Sequence, residues 1–219
     1  MTSSLTNSPL AASIDHTLLS PTATPPEIVR HTEQALELGV YAICVSPSML
    51  PFVPADHDGL RVATVCGFPS GKHLPWIKAA EAAAAVAHGA DEVDMVIDVA
   101  CAVADRFDLV EAEIRAVREA IPSPAGLKVI MESAALSTSQ IAEVTRAAVR
   151  AGADFVKTST GFHPAGGASL DAVRTMVEAG DGKILVKASG GIRTREDAEA
   201  YIAAGADRLG VSATATILG

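Results

Sequence analysis

The stretch "AGADFVKTS" at residues 151–159 ends one helical pattern and begins one strand, and the chain repeats this arrangement. "HGADEVDMV" at 88–96 and "AAGADRLGVS" at 203–212 share its Gly-Ala-Asp followed by an apolar run, and "LGVYAICVS" at 38–46 is a looser copy. In each copy the glycine closes an alanine-rich helical pattern, because glycine accepts the left-handed backbone of a helix C-terminus at little cost. The repeat therefore predicts helix–strand units in series.

Eight apolar runs have the length and composition of buried strands, and helical periodicity separates them. Capping boxes at Ser137–Gln140 and Thr194–Asp197 mark where two of the helices begin. Such alternation is typical of parallel strands covered by helices, and it favours an α/β fold, a (β/α)₈ TIM barrel, over a doubly wound open sheet. The predicted strands cover residues 12–16, 41–46, 61–67, 91–98, 126–132, 154–159, 183–188 and 207–212.

The same patterns predict a single domain. Residues 13–219 form the barrel, and residues 1–12 form a loose N-terminal leader. The leader has neither the basic residues nor the apolar segment of a secretory signal.

The composition argues against several classes of function. Hydrophobic residues make up 49% of the 219 residues, which is typical of a folded chain with a substantial core. The net charge of −9 argues against nucleic acid or an anionic membrane as the main partner, and no apolar run is long enough to span a bilayer. The three cysteines have no paired spacing, which favours reduced thiols and, without a signal, a cytoplasmic protein.

Two lysines stand near the carboxyl ends of adjacent predicted strands, where TIM barrels keep their catalytic groups. Lys157 lies in "FVKTSTGF" (155–162) and Lys187 in "ILVKASGG" (184–191), each after an apolar run and before a turn of small residues. Lysine is rarely buried without a partner or a purpose. Two lysines in equivalent positions therefore indicate a functional site.

Acidic and basic side chains on the two preceding strands are predicted to face the same interior. Since side chains alternate along a strand, Asp94 and Asp98 share one face of the fourth strand, and Lys128 and Glu132 share one face of the fifth. If these faces point inward, charged groups from four neighbouring strands meet near the barrel mouth.

A lysine pair in a sheltered site suits chemistry on a carbonyl group. The ordinary lysine pKa is about 10.4, and burial or a second cation lowers it. Of Lys157 and Lys187, one would attack a carbonyl to form a Schiff base while the other lowers its pKa; the residues alone do not say which. Asp94 would pass protons through a water molecule. The alternative is a structural ion pair, in which either lysine only balances Asp94 or Glu132.

Small residues after the last two strands indicate a phosphate site. The loops after strands seven and eight usually bind phosphate in barrels, and here they contain Gly190, Gly191 and Ser212. The alternative is two ordinary turns. The six histidines are scattered without the spacing of a metal site, so no metal is expected.

The motifs, taken in order, resemble the deoxyribose-phosphate aldolase family of class I aldolases. The likeness extends from about residue 13 to residue 212, and its most specific parts are "VKTSTGF" (156–162) and "VKASGGIRT" (186–194). The other motifs are "SIDHTLL" (13–19), "ICVSPS" (43–48), "VATVCGFPSG" (62–71), "GADEVDMVID" (89–98), "LKVIMES" (127–133) and "GADRLGVS" (205–212).

The resemblance implies both a reaction and the residues that perform it. 2-Deoxy-D-ribose 5-phosphate would be cleaved reversibly to acetaldehyde and D-glyceraldehyde 3-phosphate, without a cofactor. Lys157 is then the Schiff-base lysine, Lys187 the lysine that lowers its pKa, and Asp94 the proton-relay acid. The implied substrate-binding residues are Asp15, Cys44 and Thr160, and the implied phosphate-binding residues are Gly161, Gly190, Gly191 and Ser212.

The chain departs from the family pattern after the eighth strand. The family usually has Gly-Thr-Ser-Ser-Gly where this chain has Gly-Val-Ser-Ala-Thr at 210–214, so one hydroxyl and one glycine are lost. This change motivates one alternative, a degenerate barrel that binds a phosphorylated metabolite without turnover. A further alternative is a Schiff-base lyase for a non-phosphorylated aldehyde. A homodimer is one assembly compatible with the sequence.

Overall fold

Parallel strands close into one barrel in chain order. The structure is a computed structural model that describes residues 9–219. Each strand pairs with the next in parallel, and the first pairs with the eighth, so the predicted barrel is confirmed and the open sheet is excluded. The strands are β1 (Ile14–Leu18), β2 (Ala42–Val45), β3 (Arg61–Cys66), β4 (Glu92–Val96), β5 (Gly126–Ile130), β6 (Phe155–Lys157), β7 (Leu185–Ser189) and β8 (Arg208–Val211).

Helices surround the barrel and begin where the capping signals predict. Both capping boxes form, at Ser137–Gln140 and at Thr194–Asp197. Between β2 and β3 the chain forms only a 3₁₀ helix, Pro47–Phe52, in which Pro51 lacks the backbone donor that a continuing α-helix needs. The α-helices are α1 (Pro25–Leu38), α2 (Pro75–Ala87), α3 (Val99–Val103), α4 (Phe107–Ala120), α5 (Thr138–Arg150), α6 (Leu170–Gly180), α7 (Arg195–Ala203) and α8 (Thr214–Leu218). No helix within residues 9–219 combines the length and apolar character needed to cross a membrane.

The hydrophobic core lies between the outer face of the barrel and the helices. Val93 and Met95 on β4 are fully buried there, as are Ile114 on α4 and Val144 on α5. The alternate residue Asp94 is equally buried but lies among charged side chains from other strands. The outward face of the strands therefore stabilises the fold, and the inward face carries charged groups.

The stretch just before β1 packs against the core. Residues 1–8 lie outside the residues that the structure describes. Ala11–Ser13 form a 3₁₀ helix, Ala11 is buried, and Leu10 packs against the core. Leu10 and Ala11 therefore contact the core, whereas Ala12 is exposed.

Candidate active site

The two lysines predicted to act together meet inside the barrel. Lys157 ends β6 and Lys187 lies on β7, in direct register with it. Both side chains are buried, and both amino groups donate to one oxygen, Oδ2 of Asp94, at 2.8 Å and 2.9 Å. The predicted meeting of these three residues is confirmed.

A second group of charged residues lies next to this trio. Lys128 donates to the other oxygen of Asp94 at 2.7 Å, and its nitrogen lies 2.6 Å from an oxygen of Glu92. Asp15 accepts from Lys187 and, at 3.0 Å, from Arg208. Sequence reasoning placed Lys128 in the interior but missed Glu92 and Arg208, which begin their strands. The two-residue alternation that turns Asp94 inward could have identified Glu92 two positions earlier.

Burial and neighbouring charges shift the pKa values of the two lysines in opposite directions. Burial lowers the pKa of Lys157; the Asp94 carboxylate opposes this and the Lys187 ammonium adds to it, so the pKa is below the ordinary value. Burial also acts to lower the pKa of Lys187, but the carboxylates of Asp15 and Asp94 outweigh it, and the pKa is raised. Of the two lysines, Lys157 is therefore the amine that more readily loses its proton.

Asp94 stays ionised despite its complete burial. Burial raises the pKa of a carboxyl group, but Lys128, Lys157 and Lys187 together hold the pKa of Asp94 well below its ordinary value. The site therefore combines a carboxylate and an ammonium with an amine that readily loses its proton. These are the groups that imine chemistry requires.

An open cavity of about 500 Å³ lies at the carboxyl ends of the strands. Lys157 contributes to its wall, whereas Lys187 and Asp94 do not line it. Asp15 and Cys44 are fully buried and are not among the lining residues. The remaining predicted substrate and phosphate residues all line the cavity: Thr160, Gly161, Gly190, Gly191 and Ser212.

The far end of the cavity presents backbone donors. The N–H groups of Gly190, Gly191 and Ser212 form no backbone hydrogen bond within residues 9–219. A Cβ on Gly167 would lie 2.2 Å from the carbonyl oxygen of Gly190, so only glycine allows these two loops to approach so closely. Arg193, an exposed residue that the sequence analysis did not single out, lines the same cavity. Free N–H groups beside a guanidinium are suited to bind an anion.

Two acidic residues predicted to face the barrel interior lie elsewhere. β4 ends at Val96, and Asp98 caps α3 and pairs with the exposed Lys72 at 2.7 Å. Glu132 follows β5 in a left-handed conformation and accepts from the N–H and the hydroxyl of Thr160, at 2.8 Å and 2.6 Å. The prediction is wrong for both because alternation ends with the strand. Glu132 nevertheless holds Thr160 at the cavity wall.

An apolar surface completes the interior near the amine. Cys44 packs with Ala63 and Val65, and Phe68 covers this cluster. Phe68 in turn meets Phe162 edge to face, with ring centroids 5.3 Å apart. Burial raises the pKa of the Cys44 thiol, which keeps it uncharged. The interior thus offers an apolar side as well as a polar one.

Fold and site together define a (β/α)₈ barrel with a buried amine at its mouth, the arrangement of a Schiff-base enzyme. The chain belongs to the DeoC/LacD family of aldolases, whose family model matches residues 10–215.

Comparisons with known proteins agree with this membership. The chain is 59% identical over 213 residues to a deoxyribose-phosphate aldolase from Nocardia farcinica, covering 97% of this chain and 95% of the relative. It is 57% identical to the one from Corynebacterium diphtheriae, covering 97% of each. Among solved structures, the aldolase QR15 superposes with a TM-score of 0.91 at 38% identity, covering 96% of this chain and 94% of the other. The tetrameric deoxyribose phosphate aldolase from Aeropyrum pernix gives 0.84 at 30% identity, covering 95% and 89%.

Proposed function

We propose that the protein is a class I aldolase that reversibly cleaves 2-deoxy-D-ribose 5-phosphate to acetaldehyde and D-glyceraldehyde 3-phosphate. One observation carries the assignment of residues: Lys157 combines a lowered pKa with a place on the cavity wall, and it touches Asp94. The reaction itself is supported by relatives of that name at 57–59% identity over nearly the whole chain.

In the proposed reaction the neutral Lys157 amine attacks the C1 aldehyde of the open-chain sugar. Loss of water from the resulting carbinolamine gives a protonated imine, which withdraws electrons from the neighbouring carbons. Removal of the C3 hydroxyl proton then breaks the C2–C3 bond and releases glyceraldehyde 3-phosphate. The remaining enamine is protonated at carbon and hydrolysed to acetaldehyde. No cofactor is required, because the imine itself accepts the electron pair.

Asp94 and Lys187 manage the protons in this scheme. Oδ2 of Asp94 lies 2.8 Å from the Lys157 nitrogen, within reach of a proton on the carbinolamine or on a bridging water. Lys187 remains an ammonium because two carboxylates raise its pKa, and its charge opposes protonation of Lys157. Thr160, fixed by Glu132, is placed to orient the sugar hydroxyls.

The substrate phosphate is proposed to occupy the far end of the cavity. The N–H groups of Gly190 and Gly191 and the hydroxyl of Ser212 would bind its oxygens, with Gly161 lining the same space. The exposed guanidinium of Arg193 lines the same cavity and would supply a positive charge to the phosphate.

We expect Arg193→Gln to raise KM for 2-deoxyribose 5-phosphate about 10-fold, since a hydrogen bond to a charged group is lost. KM for unphosphorylated 2-deoxyribose should not change, because it makes no contact there. The measurement is steady-state cleavage of both sugars, followed by acetaldehyde release. Arg174→Gln, an exposed arginine on α6, is the matched control. Equal changes in KM for both sugars would contradict the phosphate site.

The same assay separates the alternatives. A degenerate barrel would bind 2-deoxyribose 5-phosphate without releasing acetaldehyde, and a lyase for non-phosphorylated aldehydes would cleave both sugars with similar kcat/KM. Cleavage that depends strongly on the phosphate supports the aldolase. Cytoplasmic residence and a homodimer remain predictions; size-exclusion chromatography with light scattering tests the second.

A further inference from the structure

The charged residues inside the barrel form a closed ring of alternating sign. Going round it, Asp94 contacts Lys128 at 2.7 Å, Lys128 contacts Glu92 at 2.6 Å, and Glu92 lies 3.8 Å from Arg208. Arg208 contacts Asp15 at 3.0 Å, Asp15 contacts Lys187, and Lys187 returns to Asp94 at 2.9 Å. We call these six residues the charge ring.

The charge ring is electrically balanced without Lys157. It contains three cations, Lys128, Lys187 and Arg208, and three carboxylates, Asp15, Glu92 and Asp94. All six side chains are 11% exposed or less. Lys157 is attached to the ring only through Asp94, so protonating it gives a buried cluster one surplus positive charge. An unbalanced buried charge is strongly unfavourable.

The remaining groups near Lys157 do not alter this balance. β2 contributes the neutral thiol of Cys44, and β3 contributes Ala63 and Val65, which are apolar. Tyr41 stacks against the Arg208 guanidinium, 3.4 Å from ring centroid to Cζ. Beyond the strand ends, Glu132 is bonded to Thr160, and Arg193 lies exposed at the cavity rim. The titratable groups of the interior come from seven of the eight strands. They are Asp15 (β1), Cys44 (β2), Glu92 and Asp94 (β4), Lys128 (β5), Lys157 (β6), Lys187 (β7) and Arg208 (β8).

We infer that Lys128 and Glu92, which touch no part of the cavity, are positioning residues whose opposite charges set the protonation of the Lys157 amine. The inference rests on the proposed role of Lys157 as nucleophile. It makes the whole ring, and not Lys187 alone, responsible for keeping the amine neutral. Lys128 has a second effect, because it holds Oδ1 of Asp94 and so leaves Oδ2 for Lys157 and Lys187.

The test is a pair of substitutions with opposite expected effects. Lys128→Met removes a cation, leaves the ring negative and favours protonated Lys157; Glu92→Gln removes an anion and favours the neutral amine. The acid limb of kcat/KM against pH reports the ionisation of Lys157 in the free enzyme. We expect it to move up by roughly one pH unit in Lys128→Met and down by a similar amount in Glu92→Gln. The double variant restores the charge balance of the ring, so the acid limb of its kcat/KM profile should return toward the wild-type pH.

Controls separate failure of this inference from failure of the proposed function. Lys72→Met removes an exposed cation outside the barrel, and the acid limb of kcat/KM should stay at the wild-type pH in this variant. Trapping with acetaldehyde and borohydride first establishes whether wild-type Lys157 forms an imine; if it does not, the proposed function fails. If it does, and the two variants shift the limb in the same direction or not at all, the role of the ring is overturned. Should Lys128→Met not fold, Arg208→Gln removes a cation from the same ring, and the acid limb should again move up in pH.

Discussion

Lys157→Leu is expected to reduce cleavage of 2-deoxyribose 5-phosphate by roughly 10⁴-fold or more, because it removes the atom that bonds to the substrate. The fold should remain intact. Leucine matches the buried environment, and Asp94 keeps two lysine partners, so no buried charge is left alone. Acetaldehyde release measures the activity, and thermal unfolding followed by circular dichroism measures the stability.

The matched control for this variant is Lys183→Leu, which removes an exposed lysine paired with Asp181. It should retain wild-type activity and stability. Substantial cleavage by Lys157→Leu would show that another group attacks the aldehyde. A loss of activity accompanied by unfolding would leave Lys157 with a structural role and would also contradict the expectation.

Asp94→Asn is expected to damage both catalysis and stability. Its carboxylate contacts three buried lysines and balances the ammonium groups of Lys128 and Lys187, and an amide of similar shape cannot do so. Removing one partner of a buried ion pair destabilises a protein by about 3–5 kcal/mol. Loss of the proton relay should lower kcat by roughly 10²- to 10⁴-fold. Urea unfolding and steady-state kinetics on the same preparation measure the two effects.

Asp98→Asn is the control, since Asp98 lies on the same stretch of chain but pairs with an exposed lysine. Exposed pairs contribute about 0–1 kcal/mol, so stability should change little and activity should persist. The contrast between the variants distinguishes a buried charge centre from a general sensitivity of this segment. Equal free energies of unfolding for Asp94→Asn and the wild type would contradict the charge ring.

Much of the fold was predictable because its signals are local. Glycine after a helical pattern, capping boxes and apolar runs each lie within a few neighbouring residues, and together they gave the strand order of the barrel. The inward positions of Lys157, Lys187 and Asp94 followed from the same alternation. Asp98 and Glu132 were misplaced because strand ends are set by tertiary pairing, and the pairing of β4 with β5 ends after Val96 and Ile130.

The electrostatic difference between the lysines could not be predicted from local pattern. Lys187 gains its second carboxylate from Asp15, which lies 172 residues away and approaches only when β8 closes against β1. Glu92 and Arg208 join the same network across the barrel. A charge balance of six groups from five strands is a property of the closed barrel, and no short stretch of the sequence contains it.

The central claim is that one amine, Lys157, is neutral and reacts with an aldehyde. The most direct measurement is incubation with dilute acetaldehyde near neutral pH, reduction with borohydride, and peptide mapping by mass spectrometry. We expect a single ethyl group on Lys157, formed far faster than on the exposed Lys183, with Lys187 and Lys128 unmodified. An ethyl group on Lys187 in its place, or labelling of Lys157 no faster than of Lys183, would contradict the claim.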